Sequence, residues 1–406
     1  MQPIQKIALI KETIHKQEKR CALTPDDAAE LLQKYPGLDI VVEKSERRIF
    51  SDEEFKDKGI TVVPKARQAD LYLGVKEVAA DHLVPQKTYL NFAHIIKGQA
   101  HNMPLLKAAM DKGVSLLDYE KLADEKGKRL IGFGYFAGLV GAYYGLRMLS
   151  LQNRLPFLPA AVELESLSEI YQNLAHYPFP ALGCVITGTG QVGLGAVEML
   201  EKAGFKKVSP RTFLQKKKPS VPYFCQLDSA ALFVPKTAKK FDKNHFYQSP
   251  EDFNSNFAKY LPHTDLLING QFWKPGIPRL FEVEDTLKPQ FRPKIIADIS
   301  CDLHGSVPIT TKFSNSKKPF FNYNPKKDKL EEGFSLSPQL INLMAIDNLP
   351  SELPLDASKA FSQKLSRDIL PLLIEGKDSP ILASATILDS GQLQENFRYL
   401  EAFLPK

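Results

Sequence analysis

The stretch Cys184-Val-Ile-Thr-Gly-Thr-Gly-Gln-Val-Gly-Leu-Gly-Ala-Val-Glu-Met-Leu200 decides how the chain is read. Residues 185–187 are a short apolar run suited to a buried parallel strand. Gly188, Gly190 and Gly193 follow at G-x-G-x-x-G spacing, and Val192, Ala196, Val197 and Leu200 then recur at helical spacing. The glycines therefore lie in a strand-to-helix turn. The first makes a tight turn, the second admits a pyrophosphate to the backbone, and the third lets helix pack on strand. The N–H groups at Gln191, Val192 and Gly193 open the helix and face the phosphates. The alternative is a glycine-rich turn with no ligand. An acidic residue for the ribose hydroxyls is expected about 20 residues further on, but residues 206–214 contain neither Asp nor Glu. Arg211 stands there instead. It either faces a 2′-phosphate, which favours NADP, or is an ordinary surface arginine.

With 406 residues the chain is too long for one ordinary core, so two domains are expected. Hydrophobic content of 43% and charged content of 25% are those of a soluble globular protein. The net charge of +6 is spread along the chain, with its densest run at residues 216–218 and no aromatic interleaving, which speaks against nucleic acid as a partner. Cys21, Cys184, Cys225 and Cys301 are far apart, so neither a metal site nor a disulfide framework is expected. The first residues lack a secretory h-region, and no apolar stretch suits a membrane span. The reading is a cytoplasmic protein with a small-molecule partner, monomeric or homo-oligomeric.

Before the glycine turn, strands are expected at 7–10, 39–42, 61–63, 71–75, 88–92 and 115–117. Thr24 and Pro25 suit the start of a helix over 25–34. Lys76 and Glu77 end one strand and His94 lies just past another, so they share the carboxyl rim of one sheet, where ligands of open α/β sheets sit. Gly134, Gly138, Gly141 and Gly145 lay bare one face of a connecting helix over about 135–149. A helix is expected near 160–174. After the turn, strands are expected at 265–268 and 294–298, and helices at 250–260, 338–345, 356–370 (stopped by Pro371) and 390–403. Residues 322–337 read as loop. Asp298 and Asp302 follow a strand, where they either border a nicotinamide or serve structure.

Several motifs occur in one order. They are Lys11-Glu12, Arg20-x-Ala-Leu-Thr-Pro25, Val75-Lys-Glu-Val78, Asn91-Phe-Ala-His94, Lys97-Gly-Gln-Ala100, Asp118-Tyr-Glu120, Gly127-Lys-Arg129, Gly132-Phe-Gly-Tyr-Phe-Ala-Gly138 and Ile346-Asp-Asn-Leu-Pro-Ser351. Together they resemble the lysine-forming saccharopine dehydrogenases, within the wider alanine dehydrogenase and transhydrogenase group. The resemblance implies an α/β fold of two Rossmann-like domains with parallel sheets and an active-site cleft between them. Residues 1–134 with about 346–406 would form the catalytic domain, and 135–345 the dinucleotide domain.

The resemblance also implies a reaction: hydride passes from the secondary amine of saccharopine to NAD, and hydrolysis gives lysine and 2-oxoglutarate. Lys76 and His94 match the family's proton handlers, Glu77 and Glu120 the carboxylates that moderate them, and Arg20 and Arg129 the substrate-carboxylate holders. The chain departs from the family in its T-G-T-G-x-x-G turn and in the missing acid. Two other functions compete. One is alanine dehydrogenase or another opine-like, imine-reducing chemistry. The other is a non-catalytic binding module on the same scaffold, for which the missing acid is the only support.

Overall fold

The computed structural model describes residues 3–15, 17–215, 220–237 and 239–404, so the lysine run 216–218 and the first two residues lie outside it. The chain divides into Met1–Phe133 with Pro354–Lys406, and Gly134–Leu353. Each unit is built on one eight-stranded sheet.

In the first unit the chain runs through β1 (Lys6–Leu9), β2 (Asp39–Glu43), β3 (Thr61–Val63), β4 (Leu71–Leu73), β5 (Thr88–Asn91) and β6 (Ser115–Asp118). All six pair in parallel, in the order β3-β2-β1-β4-β5-β6. β4 is buried along its whole length, as expected of a strand covered on both faces. The connecting helices start where the sequence stops favouring extended chain. Thr24 accepts the Asp27 N–H ahead of the helix Pro25–Lys34, and Ser51 and Glu54 close a reciprocal cap on Asp52–Asp57.

The second unit opens with the helix Gly134–Gln152. Its strands are β7 (Gly183–Thr187), β8 (Lys206–Lys207), β9 (Tyr223–Leu227), β10 (Phe233–Pro235), β11 (Phe253–Ser255), β12 (Leu266–Asn269), β13 (Ile295–Asp298), β14 (Phe321–Asn324), β15 (Lys329–Glu332) and β16 (Ile341–Met344). β10 and β11 form a separate antiparallel pair. The sheet runs β8-β9-β7-β12-β13-β16 in parallel, and β14 and β15 extend it antiparallel. The bare face of Gly134–Gln152 serves packing. A Cβ on Gly138 would lie 1.9 Å from the Val192 carbonyl, and one on Gly195 2.0 Å from that of Tyr135, so this helix and Gln191–Lys202 cross in backbone contact. The chain then returns to the first unit, where β17 (Thr386–Asp389) and β18 (Gln392–Leu393) extend its sheet antiparallel beyond β6. Each sheet is thus parallel with an antiparallel edge.

Several expected elements differ. Residues 338–345 hold no helix: β16 lies there, fully buried between β13 and β14, and its apolar run is too short to distinguish helix from buried strand by period. Residues 250–260 split into 3₁₀ turns around β11. The expected loop 322–337 contains β14 and β15. The stretch 390–403 is β18 followed by the 3₁₀ helix Glu395–Phe403. Near 160–174, Ser166 caps a shorter helix, Leu167–Leu174. Pro371 does not stop its helix. The π turn Leu365–Ile369 widens the coil, and the proline falls in the first turn of Leu370–Ile374, where its missing N–H is not needed. Among the described residues no helix is long and apolar enough to cross a membrane.

Candidate active site and dinucleotide turn

Parallel pairing of β1, β4, β5 and β6 brings the ends of four strands side by side in the first unit. Glu12, past the end of β1, accepts the N–H groups of Val75 (2.6 Å) and Lys76 (3.1 Å), which fixes the backbone that carries Lys76. Burial lifts the Glu12 carboxyl to about 8 despite these donors. Asn91, at the end of β5, donates to the Lys76 carbonyl at 3.0 Å. Lys76 and His94 are therefore tied to adjacent strand tips, as expected from their positions in sequence.

Glu77 lies between two imidazoles. Its Oε2 is 2.8 Å from His94 Nδ1 and its Oε1 2.7 Å from His15 Nε2. Burial opposes its ionisation, but the hydrogen bonds from His94 and His15 hold it down at about 2. An ionised carboxylate only accepts hydrogen bonds, so both facing ring nitrogens carry hydrogen. In neutral His94 the lone pair is then on Nε2, turned away from Glu77.

His94 has φ +49°, a left-handed conformation uncommon for a residue with a side chain. Its neighbours impose it. Buried Asp118 accepts the N–H of Ala93 (3.2 Å) and of Glu120 (2.8 Å), and Asn102 donates to the His94 carbonyl (3.1 Å). Burial raises Asp118 to about 6. Glu120 and Arg129 approach to 3.5 Å at a half-exposed site. Arg20 is buried, with Glu18 taking its Nε (2.8 Å) and Nη2 (2.6 Å), and its guanidinium lies 4.1 Å from the Phe133 ring centre. An open cavity of about 540 Å³ beside Glu12 carries Lys11, Lys44 and Arg47.

In the second unit, β7 ends at Thr187 and the helix Gln191–Lys202 begins after Gly190. Gly188 has φ +91°, and a Cβ on Gly193 would lie 2.1 Å from the Gly188 carbonyl, so both positions demand glycine for geometry alone. Gly190 is different: a Cβ there meets nothing within 4 Å. The first intrahelical bond runs from Leu194 N–H to the Gly190 carbonyl at 2.9 Å. The N–H groups of Gln191, Val192 and Gly193 come before it and are directed at the helix entrance. Open space over Gly190 beside first-turn N–H groups fits a dinucleotide pyrophosphate.

The neighbour of β7 on the side away from β12 is β9, because β8 is a two-residue strand at the sheet edge. Asp228 directly follows β9, is exposed, and accepts the Ala231 N–H at 2.8 Å. About 20 residues past the glycine turn the chain forms the edge strand β8 rather than the neighbour of β7. Arg211 lies beyond that strand, exposed on the short helix Pro210–Gln215. Asp298 turns inward. It is 1% exposed, with its oxygens taken by Asn269 Nδ2 and Thr310 Oγ1 (both 2.7 Å), while Asn269 Oδ1 accepts Thr187 Oγ1 at 2.6 Å. Burial raises Asp298 to about 6. These bonds join the ends of β7, β12 and β13.

Glu12 and Asp118 stand in the quoted motifs without an assigned role, and His15, Glu18 and Asp228 carry no motif in the sequence. Lys11-Glu12 at a strand end was a signal for the first. His15 sits in a polar loop with no periodic pattern to single it out.

A family profile described as "Alanine dehydrogenase/PNT, N-terminal domain" matches residues 8–140. Saccharopine dehydrogenase (NAD(+), L-lysine-forming) of Neurospora crassa is 30% identical over 93% of this chain and 93% of its own length. Alpha-aminoadipic semialdehyde synthase of Arabidopsis thaliana is 31% identical over 97% of this chain and 41% of its own, and the mitochondrial enzyme of that name from Rattus norvegicus 28% identical over 97% and 47%. The chain spans less than half the length of these last two relatives. Among solved structures, L-alanine dehydrogenase superposes with TM-score 0.66 at 19% identity (98% of this chain, all of that one). Transhydrogenase from Sinorhizobium meliloti does so with TM-score 0.58 at 16% (95% and 98%). Both share the two-sheet fold. Identity of 30% across 93% of both chains places this protein in the lysine-forming saccharopine dehydrogenase family.

Proposed function

We propose that the chain oxidises the secondary amine of saccharopine to lysine and 2-oxoglutarate with NAD. The observation that carries the reading is the pairing of Lys76 with His94 at neighbouring strand tips, locked by Glu12, Asn91 and Glu77. Oxidising a secondary amine and hydrolysing the resulting imine needs one group to take the amine proton and another to activate water. His94, with Nδ1 held by Glu77, offers Nε2 for one of these tasks, and Lys76 serves the other. Arg20 and Arg129 hold substrate carboxylates, with Glu18 fixing the first and Glu120 beside the second. Lys11, Lys44 and Arg47 give an acidic substrate a favourable field.

When bound, the nicotinamide accepts the hydride. Gly188, Gly190, Gln191, Val192 and Gly193 receive its pyrophosphate, and Asp298 acts as scaffold beneath them. Asp228 supports NAD, because a carboxylate at the end of the strand beside β7 bonds ribose hydroxyls and repels a 2′-phosphate. Arg211 remains the group through which NADP would be accepted. With Asp228 in place, the non-catalytic reading loses the absence on which it rested.

The test is turnover. Purified protein with saccharopine and NAD should produce the absorbance of reduced nicotinamide, faster than with NADP. In the reverse direction it should need both lysine and 2-oxoglutarate. Reduction of pyruvate with ammonia, and no reaction with lysine, would assign the chain to alanine dehydrogenase chemistry instead.

A further inference from the structure

One carboxylate, Glu77, serves two imidazoles, and only one of them belongs to the catalytic pair. His94 Nδ1 lies 2.8 Å from Glu77 Oε2 and His15 Nε2 2.7 Å from Glu77 Oε1. Glu77 is 7% exposed, whereas 39% of the His15 side-chain surface and 29% of that of His94 face solvent. A buried carboxylate given wholly to one imidazole stabilises the imidazolium, and an imidazolium cannot accept a proton. We propose that His15 is a positioning residue: by taking one oxygen of Glu77 it divides that carboxylate's charge between two rings and so sets how strongly Glu77 holds a proton on His94.

Lys76 precedes Glu77 in the chain. Asp118 feels the charge of His94 while it holds the Ala93 and Glu120 N–H groups, and Phe92 stacks on the His94 ring at 6.2 Å without charge. His15 lies in the polar loop between β1 and Arg20, outside the strand-tip positions, and its ring is brought to the site by its hydrogen bond to Glu77. The inference rests on the proposed function for its catalytic meaning but not for its physical content, because charge sharing can be read without turnover.

Two variants and two measurements test it. His15→Leu removes the second ring, and His15→Gln keeps a donor for Glu77. By nitrogen NMR on histidine-labelled protein, His94 in His15→Leu should be protonated to a larger fraction than in the parent protein at the same mildly acidic pH, while His15→Gln restores much of the difference. In turnover, kcat/KM of His15→Leu should fall about threefold or more near pH 6 and meet the parent above about pH 8, with nicotinamide affinity unchanged. An unchanged His94 titration in His15→Leu overturns the inference. So does a loss of turnover equal at every pH, which marks a purely structural role. An inert parent protein in which His15→Leu still alters the His94 titration overturns the saccharopine reading and leaves charge sharing standing.

Discussion

At the strand tips of the first unit, Glu12, Glu77 and Asp118 surround Lys76 and His94, and burial and hydrogen bonds drive their acidities apart, from about 2 at Glu77 to about 8 at Glu12. At the tips of the second unit the exposed surface is backbone, a glycine turn and first-turn N–H groups, with Thr187, Asn269, Asp298 and Thr310 linked by hydrogen bonds at the ends of the neighbouring strands. The same doubly wound architecture thus supports two kinds of site. On the proposed function, one moves protons and needs groups of unlike acidity within reach. The other holds a ligand and needs a close, unobstructed main chain. Their dependence on single residues should differ accordingly.

The largest contrast lies within the glycine turn. Gly193→Val places a Cβ against the Gly188 carbonyl, 2.1 Å away in the present geometry, and should cost about 3 kcal/mol or more of stability in denaturant unfolding. Gly190→Ala meets no protein atom within 4 Å. It should unfold within about 1 kcal/mol of the parent yet bind reduced nicotinamide at least about tenfold more weakly by fluorescence titration. Equal stability losses in the two variants would break the division between the structural and the ligand-facing glycine.

The network below the turn comes next. Thr310→Val leaves an Asp298 oxygen unbonded in a buried place and should cost about 1–3 kcal/mol. Asp228→Ala should narrow the preference for NAD over NADP by about tenfold, or 1.4 kcal/mol, with a separate loss of about 1 kcal/mol of stability from the lost cap on the Ala231 N–H. A preference that stays the same would return the selecting role to Arg211.

The smallest effect sharpens the contrast inside the first unit. Glu12 rises from an ordinary 4.5 to about 8 on folding, so between those values the folded chain holds a proton that the unfolded chain has lost. Its contribution to stability is therefore full below 4.5 and declines as pH rises to about 8. Glu77 falls from 4.5 to about 2, so its contribution is full above 4.5 and is lost as pH drops to about 2. Glu12→Gln should flatten the decline on the alkaline side and Glu77→Gln the one on the acid side, each read from unfolding across pH.

The glycine turn and the strand-end positions of Lys76, Glu77 and His94 were legible because periodicity and glycine spacing are local signals. The partners that decide their chemistry were not. Glu12 reaches Lys76 across 64 positions of sequence, and His15 reaches Glu77 across 62. Asp228 was hidden for a topological reason: β8 goes to the sheet edge and β9 takes the place beside β7, so distance along the chain misled about distance in the sheet. β16 was hidden by its brevity. Four buried residues fit a strand and a helical turn equally well until β13 and β14 are seen on either side.

The central claim is that Lys76 and His94 carry the proton chemistry while the glycine turn of the other unit carries the nicotinamide. The most direct measurement compares Lys76→Met, His94→Gln with the parent protein in two assays, saccharopine-dependent formation of reduced nicotinamide and direct titration with the dinucleotide. The account predicts dinucleotide affinity within about twofold of the parent and turnover reduced about a thousandfold or more. Turnover retained in the double variant would contradict it.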